Sequence, residues 1–362
     1  MSIALRRPFK PMEALSVDEI PESASGQRTI WQYEPKWDGF RCIAFRDGAR
    51  VELQSKSGQP LTRYFPDLVA ALGALKAKRF VLDGEIVVPR DGSFSFDDLL
   101  QRIHPAASRV RKLAAETPAL FIVFDLLVGD DGTLLTKEPL SARRKRLEAF
   151  ARKYLRGQKT FRLSPATTKI TDAKKWLRQV GGMLDGIIAK RTDLPYQGGN
   201  RLGMQKIKNF RSADCVVGGF RYNEGAPVVG SLLLGLYDSK GLLNHVGFTS
   251  SLKTSEKKAL TAKLEKLVGG EGFTGDKPGG PSRWSTKRSA QWQPLKTKLV
   301  VEVCYDHFSG GRFRHGTRLL RWRPDKAPRQ CTMDQVRHLT PAFAANADTD
   351  FVGRNVRQVP IA

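Results

Sequence analysis

The sequence predicts an α+β protein of two domains, the second of them an OB-fold β-barrel. Three observations carry that expectation. The chain has 362 residues, more than one hydrophobic core usually serves. Up to about residue 210, short apolar strands alternate with helical stretches. Beyond that point the order is three strands, a helix and two strands, which is the order of an OB-fold. The division is expected between Asn209 and Ala213, giving domains over 1–210 and 211–362.

Each element has its own signal. Residues 29–33 read as a strand that leads into Glu34-Pro35-Lys36-Trp37-Asp38-Gly39-Phe40-Arg41. Residues 81–88 and 119–127 are nearly continuous apolar runs, as expected of buried strands. Residues 141–154 read as a basic helix with Ser141 as its N-cap. Residues 171–180 read as another helix, ended by Gly181-Gly182. In the second part, 215–220, 231–237 and 242–248 read as strands. An amphipathic helix over 253–268 follows, then strands over 299–305 and 318–322. The glycine-rich stretch 269–281 is expected to be a mobile loop.

Charge speaks of partners rather than fold. Lys and Arg number 61 against 36 Asp and Glu, a net +25. Nucleic acid is the leading partner, and an anionic membrane surface the competitor. Residues 141–154 have few apolar anchors for a membrane, no apolar run is long enough to span one, and the first eight residues lack the apolar core of a secretory signal. Cys42, Cys215, Cys304 and Cys331 are scattered, with no C-x-x-C pair and no adjacent histidines. That pattern argues against a zinc site or a disulfide framework and for the cytoplasm.

Lys36 is the most informative residue. A lysine can be a covalent nucleophile when its amine is neutral, a state that nearby cations or burial favour. Gly39 allows a tight turn and leaves room for a bulky ligand, and Arg41 suits a phosphate or ribose oxygen. Alone, a K-x-D-G is more often a surface lysine beside a turn. Five further motifs follow in order. Leu53-Gln54-Ser55-Lys56-Ser57-Gly58 offers a hydroxyl, a cation and a glycine. Leu82-Asp83-Gly84-Glu85 places a carboxylate near a strand end, suited to a metal ion or a ribose hydroxyl. Phe124-Asp125 offers an aromatic face that a base could stack on. Leu184-Asp185-Gly186-Ile187-Ile188-Ala189-Lys190 puts a carboxylate and a lysine on one strand. In Gln205-Lys206-Ile207-Lys208 the alternation turns both lysines to one face. Each has a plain structural alternative, whether turn residue, core aromatic or solvated edge; the set in this order does not.

This set resembles the covalent nucleotidyltransferases: ATP-dependent DNA ligases, RNA ligases and mRNA capping enzymes. It is most similar to the minimal bacterial ATP-dependent DNA ligases, of the ligase C type and the related ligase D catalytic domain. Phe313-Arg314-His315-Gly316-Thr317-Arg318 and the following Arg321-Trp322-Arg323-Pro324-Asp325-Lys326 look most like ligase C, and Arg323-x-Asp325-Lys326 matches the family's R-x-D-K motif. Two positions depart: Asp185 stands where the family usually has Glu, and Met204 where many members have Trp. The resemblance implies a nucleotidyltransferase (adenylation) domain followed by the OB-fold domain.

It also implies a role for each residue. Lys36 would attack the α-phosphorus of ATP, pass AMP to the 5′-phosphate of a nick in duplex DNA, and so prepare the attack of the 3′-hydroxyl. Glu34 would help read the base and Phe124 would stack on it. Arg41, Lys56, Lys190, Arg201, Lys206 and Lys208 would bind the nucleotide. Glu85 and Asp185 would hold Mg²⁺ or Mn²⁺. Arg323, Asp325 and Lys326 would close over pyrophosphate in the first step alone. The implied partners are nicked DNA and repair proteins such as a polymerase or an end-binding protein, and the implied state is a monomer. DNA would also meet the Lys- and Arg-rich stretch 282–298, where Trp284, Trp292 and the nearby Phe308 are either wedges or core residues. An RNA ligase or capping enzyme is the alternative on the same scaffold; a non-catalytic nick-binding module would require a broken motif, and every charged motif residue is present.

Overall fold

In the computed structural model, which describes residues 3–23, 30–90, 92–178, 184–208, 210–279 and 291–336, the two apolar runs become adjacent strands inside one sheet. The chain divides into two compact units after Lys208. The first begins with β1 (Leu15–Ser16), β2 (Trp31–Trp37), β3 (Phe40–Asp47), β4 (Arg50–Ser55) and α1 (Pro66–Ala74). Next come β5 (Arg79–Val87), the ribbon of β6 (Pro89–Arg90) and β7 (Ser93–Phe94), α2 (Phe96–Gln101), α3 (Ala107–Glu116) and β8 (Leu120–Val128). It ends with α4 (Leu140–Phe150), β9 (Phe161–Leu163), α5 (Ile170–Arg178), β10 (Leu184–Arg191) and β11 (Met204–Ile207).

These strands form two sheets, ordered β4-β3-β5-β8-β9 and β1-β11-β10-β2. Alternation decides what each face does. Cys42, Ala44, Leu82 and Ile86 enter a core with Leu68 and Leu72 of α1 and Leu147 and Phe150 of α4. Ile43, Phe45 and Val81, on the other face, pack with Ile188 and Met204 of the second sheet. The two sheets therefore meet across a shared apolar layer. The far face of the second sheet, with Trp31, Tyr33, Ile187, Ala189 and Ile207, is covered by Ala173 and Trp176 of α5.

Two details differ from expectation in this unit. Ser141 does not cap α4: the helix begins at Leu140 without a side-chain cap. The amides of Leu140 and Ser141 donate instead to the carbonyls of Leu194 and Thr192, so the first turn needs no capping hydroxyl. The helix ends at Phe150 and continues as a π-helical turn, Ala151–Leu155. Nor is its basic character all solvated. Arg143, 2 % exposed, donates from Nε and Nη2 to Asp125 of β8, each at 2.9 Å. The glycines ending α5 lie outside the described residues.

The second unit runs β12 (Arg211–Asn223), β13 (Ala226–Tyr237), β14 (Leu243–Thr249), α6 (Lys257–Glu265), β15 (Gln293–Pro294), β16 (Val300–Tyr305), β17 (Phe308–Ser309), β18 (Arg312–Phe313) and β19 (Arg318–Trp322). Its main sheet has the order β14-β13-β12-β16-β19. Three long strands, a helix and two strands appear where the sequence places them. Among the described residues no ladder closes the sheet into a barrel. Its edges meet at the bridge Thr249–Thr317, where Thr249 Oγ1 donates to Thr317 O at 2.8 Å and Leu319 N to Ser251 Oγ at 2.7 Å.

The described part of 269–281 is anchored rather than a mobile loop. Phe273 is 1 % exposed, and the amides of Thr274 and Gly275 donate to Leu243 O. Trp292 packs on Phe273 with centroids 5.4 Å apart, and Phe308 packs on Phe313 at 5.3 Å. Both aromatics serve this core; Trp284 lies outside the described residues. All four cysteines are buried and free. No helix among the described residues is long and apolar enough to cross a membrane.

His245 on β14 makes this core sensitive to acid. It is 7 % exposed, its ring meets Phe273 edge-on at 5.2 Å, and neither ring nitrogen has a hydrogen-bond partner. Burial, then Arg312 and Arg221, push its pKa down to about 3. A depressed pKa means that the unfolded chain binds the proton more tightly, so stability present above about pH 6.5 is lost as pH falls toward 3. At pH 4.5 the expected loss is ~2–3 kcal/mol, at 1.36 kcal/mol per unit. Amide exchange of Val246 and Leu234 at pH 7 and 4.5 should show that loss in the native chain and much less of it in His245→Leu. Equal losses in the two proteins would sink this assignment.

Candidate active site

The site lies in the first unit, between its two sheets. Register sets its first wall. Gly186 lies opposite Lys36 and Leu184 opposite Trp37, so Asp185 is the extra residue of a β-bulge. A bulge re-aims its side chain, and here the Asp185 carboxylate is brought to Lys36. Lys36 Nζ donates to Asp185 Oδ2 at 2.5 Å, and Lys208 Nζ stands 3.5 Å from the same oxygen. Gly186, with φ +140°, is where Ile207 O would meet a Cβ at 2.1 Å, so the bulge requires glycine. Two residues along β2, Glu34 (2 % exposed) accepts from Lys190 Nζ at 2.9 Å on both oxygens and from Gln32 Nε2 at 2.7 Å. Glu34, Lys36, Lys190, Lys206 and Lys208 thus share the inner face of one sheet. The Lys206 pKa is lowered by burial first and then by Lys36, Lys208, Lys56 and Arg201.

The second wall comes from β3, β5 and β8. Arg41 lies opposite Glu85, and Ile43 opposite Asp83. The Arg41 guanidinium is gripped by fully buried Asp83, with Nε and Nη2 each at 2.7 Å from one oxygen. Burial opposes the Arg41 charge, but Asp83 more than offsets it and the pKa lies above the usual value. Asp83 pairs with Asp125, and Gly84 with Val123, which leaves Phe124 as a second bulge residue. Its ring has Lys190 Nζ at 4.6 Å and Arg41 Cζ at 4.8 Å from its centroid. Burial pushes the Glu85 carboxyl up to about 8, against the pull of Arg41 and Lys36.

Gly39 works otherwise than the sequence suggests. A Cβ there would sit 2.2 Å from Ile86 O and 2.9 Å from Glu85 Cγ. Its role is close approach to β5 and not room for a ligand.

The sequence reading missed three residues of this region. Asp83, within the L-D-G-E motif, orients Arg41. Tyr196 donates to Asp83 Oδ2 at 2.6 Å and accepts from Met12 N at 3.0 Å, pinning the N-terminal segment over the sheets. Glu13, on that segment, takes Arg201 Nη2 at 2.9 Å and stands 3.7 Å from Lys56 Nζ. Tyr196 and Glu13 lie in loops without a motif, so no sequence signal marks them. Arg201 and Lys56 are the most exposed of the expected nucleotide contacts, with side chains 64 % and 58 % exposed.

In the second unit, Arg323, Asp325 and Lys326 come together. Arg323 donates to Asp325 from Nη2 at 2.8 Å, and hydrogen bonding to Arg323 brings the Asp325 pKa down to about 2. Both cations also reach Asp214 of β12.

A half-buried lysine flanked by carboxylates, further lysines and an aromatic, ahead of an OB-type unit, defines the covalent nucleotidyltransferases. Residues 11–208 match the family described as ATP dependent DNA ligase domain, and 225–326 match ATP dependent DNA ligase C terminal region. The chain is 45 % identical to DNA ligase C2 of Mycolicibacterium smegmatis over 353 residues, covering 93 % of this chain and 96 % of that one. It is 43 % identical to DNA ligase C of Mycobacterium tuberculosis over 352 residues, with the same coverage. A solved Lig E DNA ligase shares the fold with a TM-score of 0.52 at 16 % identity, covering 86 % of this chain and 100 % of that one. The chain belongs to the ATP-dependent DNA ligases.

Proposed function

We propose that this ligase seals nicks in duplex DNA with Lys36 as its nucleophile. The observation that carries the reading is Lys36 itself, set by the Asp185 bulge between two charged walls. In the first step Lys36 Nζ gives up a proton, bonds to the α-phosphorus of ATP, and pyrophosphate leaves. In the second, an oxygen of the nick's 5′-phosphate takes the AMP and the lysine is restored. In the third, the 3′-hydroxyl loses its proton and attacks the phosphorus of the nick's 5′-phosphate, and AMP departs. All three are in-line transfers, so positioning and charge neutralisation supply most of the rate. Lys190, Lys206, Lys208 and Arg41 line the path of the phosphates. Phe124 stacks on adenine, Glu34 reads its edge, and Lys56 and Arg201 complete the nucleotide contacts. Arg323, Asp325 and Lys326 engage pyrophosphate through a movement of the OB unit.

The residues also suit a divalent cation. Glu85 and Asp185 both face Lys36, and Mg²⁺ commonly takes one or two carboxylates and completes its shell with phosphate oxygens and water. Mg²⁺ or Mn²⁺ held there would polarise phosphoryl oxygens. The reading extends to a monomer in the cytoplasm, recruited in DNA repair by a polymerase or end-binding protein.

Incubation with α-labelled ATP should give a covalent adduct that unlabelled nicked DNA chases. Labelling by GTP alone, or a chase by RNA nicks alone, would favour an RNA ligase or capping reaction instead. Binding to the nick should weaken steeply with salt, with a log–log slope of about −0.9 per phosphate neutralised. A flat dependence would contradict a basic surface of +25 as the source of affinity.

A further inference from the structure

Asp214 of β12 lies opposite Glu302 of β16, which lies opposite Arg321 of β19. Facing carboxylates on one ladder repel, and here three cations offset them. Arg321 Nε is 2.7 Å from Glu302 Oε2. Arg323 Nη1 donates to both Asp214 oxygens, at 2.9 and 3.0 Å, and Lys326 Nζ to Asp214 Oδ2 at 2.7 Å. Asp325 takes the other edge of the same guanidinium, from Nε at 3.0 Å and Nη2 at 2.8 Å. Asp214 is 8 % exposed, and Gln335 fixes its backbone by accepting from its amide at 3.0 Å and donating to its carbonyl at 3.2 Å.

Such a cluster contributes little to folding that apolar side chains of similar volume would not, because each buried charge must be desolvated. It does fix geometry. A guanidinium carries its N–H donors in a rigid fork. With Asp214 on one edge and Asp325 on the other, the Arg323 plane is set. Lys326 is held beside it by the same carboxylate. We propose that Asp214 is a positioning residue for adenylation, a buried carboxylate that presents Arg323 and Lys326 as a preset pair to the pyrophosphate group. This rests on the reading above that those two cations act on pyrophosphate.

The test separates steps and substrates. Asp214→Asn keeps the size and loses the charge. Adduct formation should slow on the order of 10²-fold, the scale for misplacing a positioned group. The pyrophosphate concentration needed to discharge a preformed adduct should rise, and sealing of a pre-adenylated nick should stay close to native. Native adduct formation by Asp214→Asn, or equal losses in adduct formation and pre-adenylated sealing, overturns the proposal; in the latter case Asp214 is a structural pin. If Asp214→Asn does not fold, Asp214→Glu must show the same split between steps. The variant lacking both cations, Arg323→Ala with Lys326→Ala, tests the underlying reading separately. If it forms the adduct normally, the pyrophosphate role itself falls; if it fails while Asp214→Asn is native, only the positioning role does.

Discussion

Lys36→Ala is expected to form no adduct with ATP and to seal no ordinary nick, yet still to join a nick that already carries a 5′-adenylate. The split follows from the chemistry, since the last step uses the 3′-hydroxyl as nucleophile. The substitution should not unfold the protein. The Lys36 side chain is 22 % exposed and contributes to no core, and Asp185 keeps Lys208 as a counter-charge. Gel detection of labelled protein, beside a pre-adenylated substrate, checks both halves. Normal labelling of Lys36→Ala would remove it as the nucleophile. Loss of all joining, pre-adenylated included, would point to damage beyond the nucleophile.

The second large effect is expected at the carboxylates. Glu85→Ala and Asp185→Ala should each lower nick sealing by on the order of 10²–10³, the range for removing one group that stabilises transition-state charge. Folding should change little, because neither side chain belongs to an apolar core of this unit. Metal dependence should change as well, and titration of activity with Mg²⁺ and Mn²⁺ reads that directly. Asp185→Glu, which installs the family's usual residue, should retain activity. Full activity of Glu85→Ala with an unaltered metal titration would remove Glu85 from the site.

The sequence by itself determined the order of the elements, because burial imposes periods that can be read locally. The nearly continuous apolar run over 119–127 reads as a strand covered on both faces, and β8 is buried at every position. The alternation of Lys206 and Lys208 turned both to one face for the same reason. What a local pattern cannot contain is register across strands. Only the pairing of β10 with β2 makes Asp185 a bulge residue aimed at Lys36, and only the pairing of β5 with β8 does the same for Phe124. Nor does sequence show which charge answers which. Asp83 and Tyr196 are 113 positions apart, and Asp214 and Lys326 are 112 apart. Such pairs form because a buried charge must find a partner in three dimensions, and the tertiary structure alone decides which partner that is.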